Sequence, residues 1–389
     1  MPLRRKPPAL PHSKASTARW AARWTAVGII AVAAALLTAL PPVTAPSTTP
    51  PAAPAPTLTS TPVVHRYADC PKATTTVHTG DELRAAVDQA GPGTVIKMAA
   101  GTYRGQVNVH VTGTAANPIW VCGPRDAVIT LGSVQNNHGI LIKNSAHLVI
   151  AGMTVTNGLK GISVISSTNV TIADTRIDNI GYEGIHLRAF TTDSTVVGNT
   201  ISNTGLREAR YGEGIYIGTS ENNWCAQTDC GPDHTDGTLL LDNHISLTGA
   251  QPIEVKEGTS NGIIRGNVID GAKAMSAAEE WIKVKGNDWI IEANRGSNSP
   301  RHGFAVNGSV AGWGLRNTFV DNTGIVNAGG YAFFIYETGS KGSSYTNVSC
   351  SNSVTRAADG FSNIACTRPR LLVFQQRATA PCDVFWCAR

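Results

Sequence analysis

The chain has 389 residues, of which 15% are charged and 42% hydrophobic, and its formal charge is +5. Six of the cations (Arg4, Arg5, Lys6, Lys14, Arg19 and Arg23) precede Trp24, and removing them leaves −1 for residues 25–389. The bulk of the chain is therefore near neutral, so nucleic acid is not an expected partner, and any basic patch must be local.

The basic start is followed by an apolar run, Ala26 to Leu40. This is the order of a secretory signal. Signal cores run to about 15 residues and spanning helices start near 17. Length thus leaves two readings of residues 1–45, a cleaved signal peptide or a retained membrane anchor. Both put the rest of the chain outside the cytoplasm, secreted or held at the cell surface. Residues 46–64 are rich in Pro, Thr and Ser and form a linker with too little apolar surface to bury. Residues 65–389 are long enough for one large core.

That domain opens with Thr79-Gly80-Asp81-Glu82, a capping-box sequence. An amphipathic run, Leu83 to Ala90, and the stop Gly91-Pro92-Gly93 follow, which predicts a helix over the N-terminal end. A five-residue pattern then recurs, beginning at Gly139, Gly161, Gly184, Gly214, Pro252, Trp281, Gly303 and Ala332. Its second and fourth places are apolar. In phase with it runs Asn followed by a small residue, at Asn199, Asn243, Asn267, Asn294, Asn317 and Asn347. Asn tolerates left-handed turns and its amide can stack on a copy one coil away. Short strands at this spacing predict an all-β parallel solenoid of about ten coils, each pairing with the next. Residues 367–389 would close the far end. The cysteines are Cys70, Cys122, Cys225, Cys230, Cys350, Cys366, Cys382 and Cys387. An even count in an exported chain suggests disulfides. Proximity favours Cys225–Cys230, Cys350–Cys366 and Cys382–Cys387, leaving Cys70–Cys122. No pair has the two-residue spacing usual for zinc.

Side chains alternate across a strand, and paired strands lie about 4.8 Å apart. Stacking the repeats gives two outward columns. The first reads Leu141, Ser163, His186, Tyr216, Glu254, Lys283, Ala305, Phe334. The second reads Lys143, Ile165, Arg188, Gly218, Lys256, Lys285, Asn307, Tyr336. Charges gather at mid-stack, where Lys256 above Lys285 is an unfavourable like-charge pair. Gly218 is expected to leave a hollow between Arg188 and Lys256. Insertions at Asn203–Glu213, Thr219–Gly237 and Ala272–Glu280 could wall a groove over the strip.

Cations and aromatics along a groove suit a linear acidic polysaccharide, with Arg and Lys on carboxylates and Tyr or Phe on sugar faces. The matching chemistry is β-elimination, which needs a neutralised carboxylate and a base of tuned pKa. A Lys among other cations can be that base. The residues that point here are Lys256, Arg188, Lys285 and Lys283 for catalysis, and His186, Tyr216, Gly218, Asn307, Phe334 and Tyr336 for binding. Glycoside hydrolysis needs at least two carboxylates, and the columns offer only Glu254.

The helical cap followed by "GTVIKMAAGTYRG" (Gly93 to Gly105) and by "NPIWVCG" (Asn117 to Gly123) resembles the right-handed parallel β-helix, pectate lyase-like superfamily. Within it, Glu254, Lys256 and the Gly266-Asn267 turn look most like the chondroitinase B and alginate lyase type. The resemblance implies Lys256 as base and Glu254 as a calcium ligand. The family's second carboxylate is missing from its place, but Glu257, Glu213 and Glu280 are near in register, and Glu257 is taken as the second ligand. The family's assisting Arg is not matched, because the next rung carries Lys283 and Lys285. A metal-free site, with Arg188 and Lys285 neutralising the carboxylate, is the alternative. Gly231-Pro232-Asp233-His234 is also similar to the Asp-Pro-His-Asp of uronan epimerases, but with Gly in the first place. The second reading of function is a non-catalytic surface module that binds acidic glycans.

Overall fold

The computed structural model describes residues 70–272, 278–336 and 344–368. The predicted leader, linker and Cys382–Cys387 pair lie outside these residues, as does nearly all of the predicted C-terminal cap. Among the described residues no helix is long and apolar enough to cross a membrane.

Three parallel sheets of 11, 10 and 10 strands run the length of the domain, and each coil gives one strand to each sheet in turn. Every strand pair is parallel, as a solenoid requires. The two apolar places of the repeat face inward. Ile140, Ile162, Ile185, Ile215, Ile253, Ile282, Phe304 and Phe333 stack there with 1% exposure or less. Where Trp281 replaces the repeat glycine, its indole enters the core. Neighbouring coils make room, since a Cβ on Gly296 would lie 2.2 Å from the Trp281 ring.

The N-terminal end is covered by the helix Gly80–Asp88, with Leu83 and Val87 buried. Thr79 Oγ1 accepts from Glu82 N at 3.2 Å, as the capping box predicts. The Glu82 carboxylate accepts from His78 N at 2.7 Å, one residue earlier than the box would have it. Three expected disulfides are formed: Cys70–Cys122, Cys225–Cys230 and Cys350–Cys366.

The buried asparagine ladder exists at the corner between the first and second sheets. It runs through Asn199, Asn243, Asn267, Asn294, Asn322 and Asn352, each amide donating to the next Oδ1 at 2.9–3.0 Å. The last two members differ from the expected Asn317 and Asn347. Asn317 lies at another corner, where it accepts from Trp289 N and donates to the Gly286 carbonyl. Asn347 sits on the strand Asn347–Val348. "Asn then small" marks a turn, but it does not say which corner.

Asn267→Ala would strip partners from the Asn243 amides and the Leu240 carbonyl. We expect a stability loss of about 3 kcal/mol in denaturant unfolding, because each orphaned buried group costs about 1–3 kcal/mol. A loss below about 1 kcal/mol would mean that the ladder marks the turn without stabilising it.

Candidate functional site

The third sheet carries both expected columns in register. Ser163 pairs with Leu141 and His186, and His186 with Tyr216. Tyr216 pairs with Glu254, Glu254 with Lys283, Lys283 with Ala305 and Ala305 with Phe334. The second column follows, with Asn307 opposite Tyr336.

The strip is less open than its charges suggest. Glu254 and Lys256 are each 6% exposed. The like-charge contact between Lys256 and Lys285 is bridged by one oxygen. Glu254 Oε1 lies 2.8 Å from Lys285 Nζ and 3.3 Å from Lys256 Nζ. Glu257 Oε2 adds a second carboxylate 3.6 Å from Lys256 Nζ. Burial alone would raise the Glu254 pKa, but Lys256 and Lys285 outweigh it and hold it at about 2. The two lysines part company. Burial lowers Lys256, helped by the charge of Lys285 and only partly offset by Glu254. Lys285 is raised despite burial, because Glu254 holds its proton. Lys285 thus holds its proton more firmly than an ordinary lysine, and Lys256 less firmly.

Around this pair, Lys283 Nζ lies 3.3 Å from Glu280 and 3.6 Å from Glu279. Lys256 Nζ stands 5.9 Å from the centre of the Tyr216 ring. Burial and then the charges of Glu254, Glu213, Glu183 and Glu257 push the Tyr216 phenol well above its usual 10.0, so it stays protonated. Arg188 makes no ion pair with a described residue; burial lowers it, and Glu183 and Asp233 act against that. Arg188, Tyr216, Lys283 and Lys285 remain half-buried and open the strip to solvent.

Several expectations change. Gly218 does not leave a hollow: its φ is +85°, and a Cβ there would lie 2.6 Å from Thr259 Cγ2. The glycine is there for the turn and the close approach. His186 is 5% exposed with both ring nitrogens engaged, so it supports the strip from beneath. Its Nε2 donates to the Gly218 carbonyl at 3.1 Å, and its Nδ1 faces Glu183 at 3.4 Å and Lys160 at 3.5 Å. Phe334 stacks on His302 at 4.4 Å, and Tyr336 is 43% exposed. With Asn307 they lie two to three coils from Lys256, about 14 Å at the far end.

The loops diverge. Thr219–Gly237 closes on the strip, where Glu221 N donates to Glu257 Oε1 at 2.8 Å. Asp233 is an internal brace, accepting from Ala189 N and Phe190 N at 2.8 and 2.9 Å. Both of those residues have positive φ. That role accounts for the epimerase-like tetrapeptide without chemistry. The Asn203–Glu213 loop instead leans back over earlier coils, with Arg207 Nη1 donating to the Gln135 carbonyl and Tyr211 edge-on to Tyr182. The third insertion lies partly outside the described residues.

A third polar column was not foreseen. It is the residue before the repeat glycine: His138, Lys160, Glu183, Glu213, Gln251, Glu280 and His302. Lys160 pairs with His138, and Glu280 with His302, in strand register. Strict alternation places this residue inward, but the alternation breaks at the next position, where a Cβ on Gly161, Gly184 or Gly214 would meet the core side chains of Ile177, Ile201 and Ile245, so the residue before it faces the strip. The signal was the run of polar residues at one fixed place. This column adds Glu183, Glu213 and Glu280 to the single carboxylate of the two outward columns.

The residues do not fit calcium. Glu254 is occupied by two ammonium groups and Glu257 by an ammonium and an amide, so a divalent cation would be pressed against Lys256 and Lys285. Among the described residues, no three His, Cys, Asp or Glu side chains are grouped to hold a metal ion.

Glu254→Gln would leave the two lysines facing each other. It should cost about 3 kcal/mol at neutral pH, the range for breaking a buried pair. Because the folded pKa is depressed, the contribution is complete above the ordinary 4.5 and is lost as pH falls towards about 2. The gap between the denaturant midpoints of wild type and variant should therefore hold from pH 7 to about 4.5 and narrow below it. A gap that stays constant would place the effect outside this carboxylate.

Comparison with known proteins agrees with the geometry. The family described as Right handed beta helix region matches residues 103–229. An alginate lyase from Paenibacillus sp. str. FPU-7 superposes with a TM-score of 0.68 at 29% identity, covering 76% of this chain and 100% of that one. A pectate lyase, Pel9A, superposes at 0.51 with 14% identity, covering 74% and 78%, and shares the fold alone. A search of curated proteins gives no match. The chain folds as a right-handed parallel β-helix, similar over 76% of its length to an alginate lyase.

Proposed function

We propose that this chain is an exported polysaccharide lyase that cleaves a uronic-acid-containing polysaccharide by β-elimination. The observation that carries the reading is Lys256, buried between two carboxylates and Lys285, with its proton affinity lowered, beside the Tyr216 phenol and on the same strip as Arg188, which makes no ion pair with a described residue. The likeness to an alginate lyase over that protein's whole length supports it, and three disulfides suit an oxidising compartment.

The substrate carboxylate meets Arg188, which makes no ion pair with a described residue. Lys285, pinned by Glu254, supplies a second fixed positive charge, and Lys283 a third one rung away. These charges stabilise the electron density that builds on the carboxylate as the α-proton leaves. The Lys256 nitrogen takes that proton, the C–O bond to the next sugar breaks, and a carbon–carbon double bond forms. The departing oxygen takes its proton from Tyr216. Phe334, Tyr336 and Asn307 receive sugars further along the strip. No step passes through a metal.

The test is to incubate the full chain with pectate, alginate, glucuronan, chondroitin sulfate and hyaluronan, with and without calcium, and follow the absorbance of the new double bond. We expect a rise on one class of polymer, unchanged by a chelator. Lys256→Ala should retain polymer binding and lower kcat about 10²- to 10⁴-fold, the usual share of a general base. The rate should climb with pH as Lys256 loses its proton below its ordinary 10.5, and decline only where Tyr216 ionises. No rise on any polymer, with binding intact, would make the chain a module that holds acidic glycans.

A further inference from the structure

The tryptophans have different surroundings. Trp281 and Trp289 are fully buried in the core, and Trp224 Nε1 donates to the Thr219 carbonyl at 2.9 Å. Trp313 is half-buried, and its indole nitrogen has no hydrogen-bond partner among the described residues. It stands between Gly312 and Gly314, whose φ values of +85° and +75° let the chain turn sharply on both sides of it. Two bonds tie this turn to the reactive rungs. Gly314 N donates to the Lys285 carbonyl at 2.8 Å, and Asn287 Nδ2 donates to the Gly312 carbonyl at 2.9 Å. Trp313 is therefore held beside the Lys285 backbone.

His234 reaches the same place from the other direction. Its loop, Thr219–Gly237, leaves the strip one coil before Lys256, and the Trp313 loop leaves it one coil after Lys285. Ser260 N donates to Asp236 Oδ1 at 2.6 Å, and a Cβ on Gly258 would lie 2.7 Å from Asp233 N, so His234 is set against the turn that follows Lys256. That turn pairs with the one after Lys285 through Ser260 and Asn287. The His234 and Trp313 rings meet there, with 6.5 Å between centres and 60° between planes. The His234 side chain is 57% exposed, and its Nδ1 lies 3.3 Å from Asp236 Oδ2. Two separate loops thus converge in one aromatic contact, which borders both rungs on the side of the second column.

We propose that Trp313, with His234 packed edge-on against it, is a sugar-binding wall beside Lys256 and Lys285. One pyranose of the bound acidic polysaccharide rests its C–H face on the indole, and the indole N–H donates to an oxygen of that sugar. This inference rests on the reading of the strip as a polysaccharide site. A pyranose has an apolar face and a polar rim, and tryptophan offers an apolar body with one donor at its edge. Cations alone attract carboxylates without fixing the plane of the ring; a flat platform held by two loops fixes it. The wall closes one side of both rungs. A bound polymer therefore runs along the stack of coils, towards Asn307 and Tyr336, and not across the sheet.

The test compares wild type, Trp313→Ala and Trp313→Phe on the polymers named above. On the cleaved polymer, Trp313→Ala should raise KM about 10-fold or more and leave kcat within about twofold. Trp313→Phe should recover most of the loss, because it keeps the flat face. Binding is read apart from turnover in the Lys256→Ala background. There, bound polymer should shield tryptophan from acrylamide quenching, and adding Trp313→Phe should remove that shielding. An unchanged KM in Trp313→Ala, or shielding that survives undiminished in Trp313→Phe, would overturn the proposal. If Trp313→Ala lowers the denaturant midpoint, the phenylalanine variant and the quenching decide. Wild type that binds a polymer without cleaving it would overturn the lyase reading, and the quenching would still decide the role of Trp313. Wild type that binds none of the polymers would overturn the polysaccharide reading and this inference together.

Discussion

Every group on the strip owes its place to the parallel pairing of one coil upon the next. A coil cannot bury its own apolar side chains, so it is stable only in register with its neighbours. That register brings residues about 30 positions apart in sequence to within one strand spacing. Glu254 reaches Lys285 because Val255 pairs with Val284, and for no local reason. The asparagine ladder enforces the same register from inside, since a slipped coil would orphan two amides at once.

Stacking also explains how so many charges survive under cover. A lone lysine buried as deeply as Lys256 would lose its proton, and a lone glutamate would take one up. In the column they neutralise each other across rungs, and the pairing is unequal. Glu254 holds Lys285 at 2.8 Å and Lys256 at 3.3 Å. One lysine is fixed and the other left loose by the same carboxylate. Two chemically identical side chains are thus given opposite proton affinities by their neighbours.

Much of this could be read from the sequence, because repetition turns a one-dimensional pattern into two-dimensional positions. Both outward columns and three disulfide pairings follow from counting. What escaped the count has physical causes. Alternation is a property of a regular strand, and here Gly184, Gly214 and Trp281 face the core beside the equally inward Ile185, Ile215 and Ile282, so Glu183, Glu213 and Glu280 face the strip and their column was not foreseen. Burial depends on how a loop lies, and the Thr219–Gly237 loop closes over residues whose charge suggested exposure. Gly218 resembled a gap, yet Thr259 fills the space from a turn that the repeat pattern does not describe. Asn322 and Asn352 were missed because a turn residue does not announce its corner.

The solenoid also works as a ruler. The aromatic residues Phe334 and Tyr336 are separated from Lys256 by whole coils, so that separation changes only in steps of about 4.8 Å. Duplicating or deleting one coil between them would leave each cluster internally intact. It would change only the distance between the two clusters. On the proposed lyase reading, product length would therefore shift by discrete amounts, through a change in coil number that touches no side chain at either end.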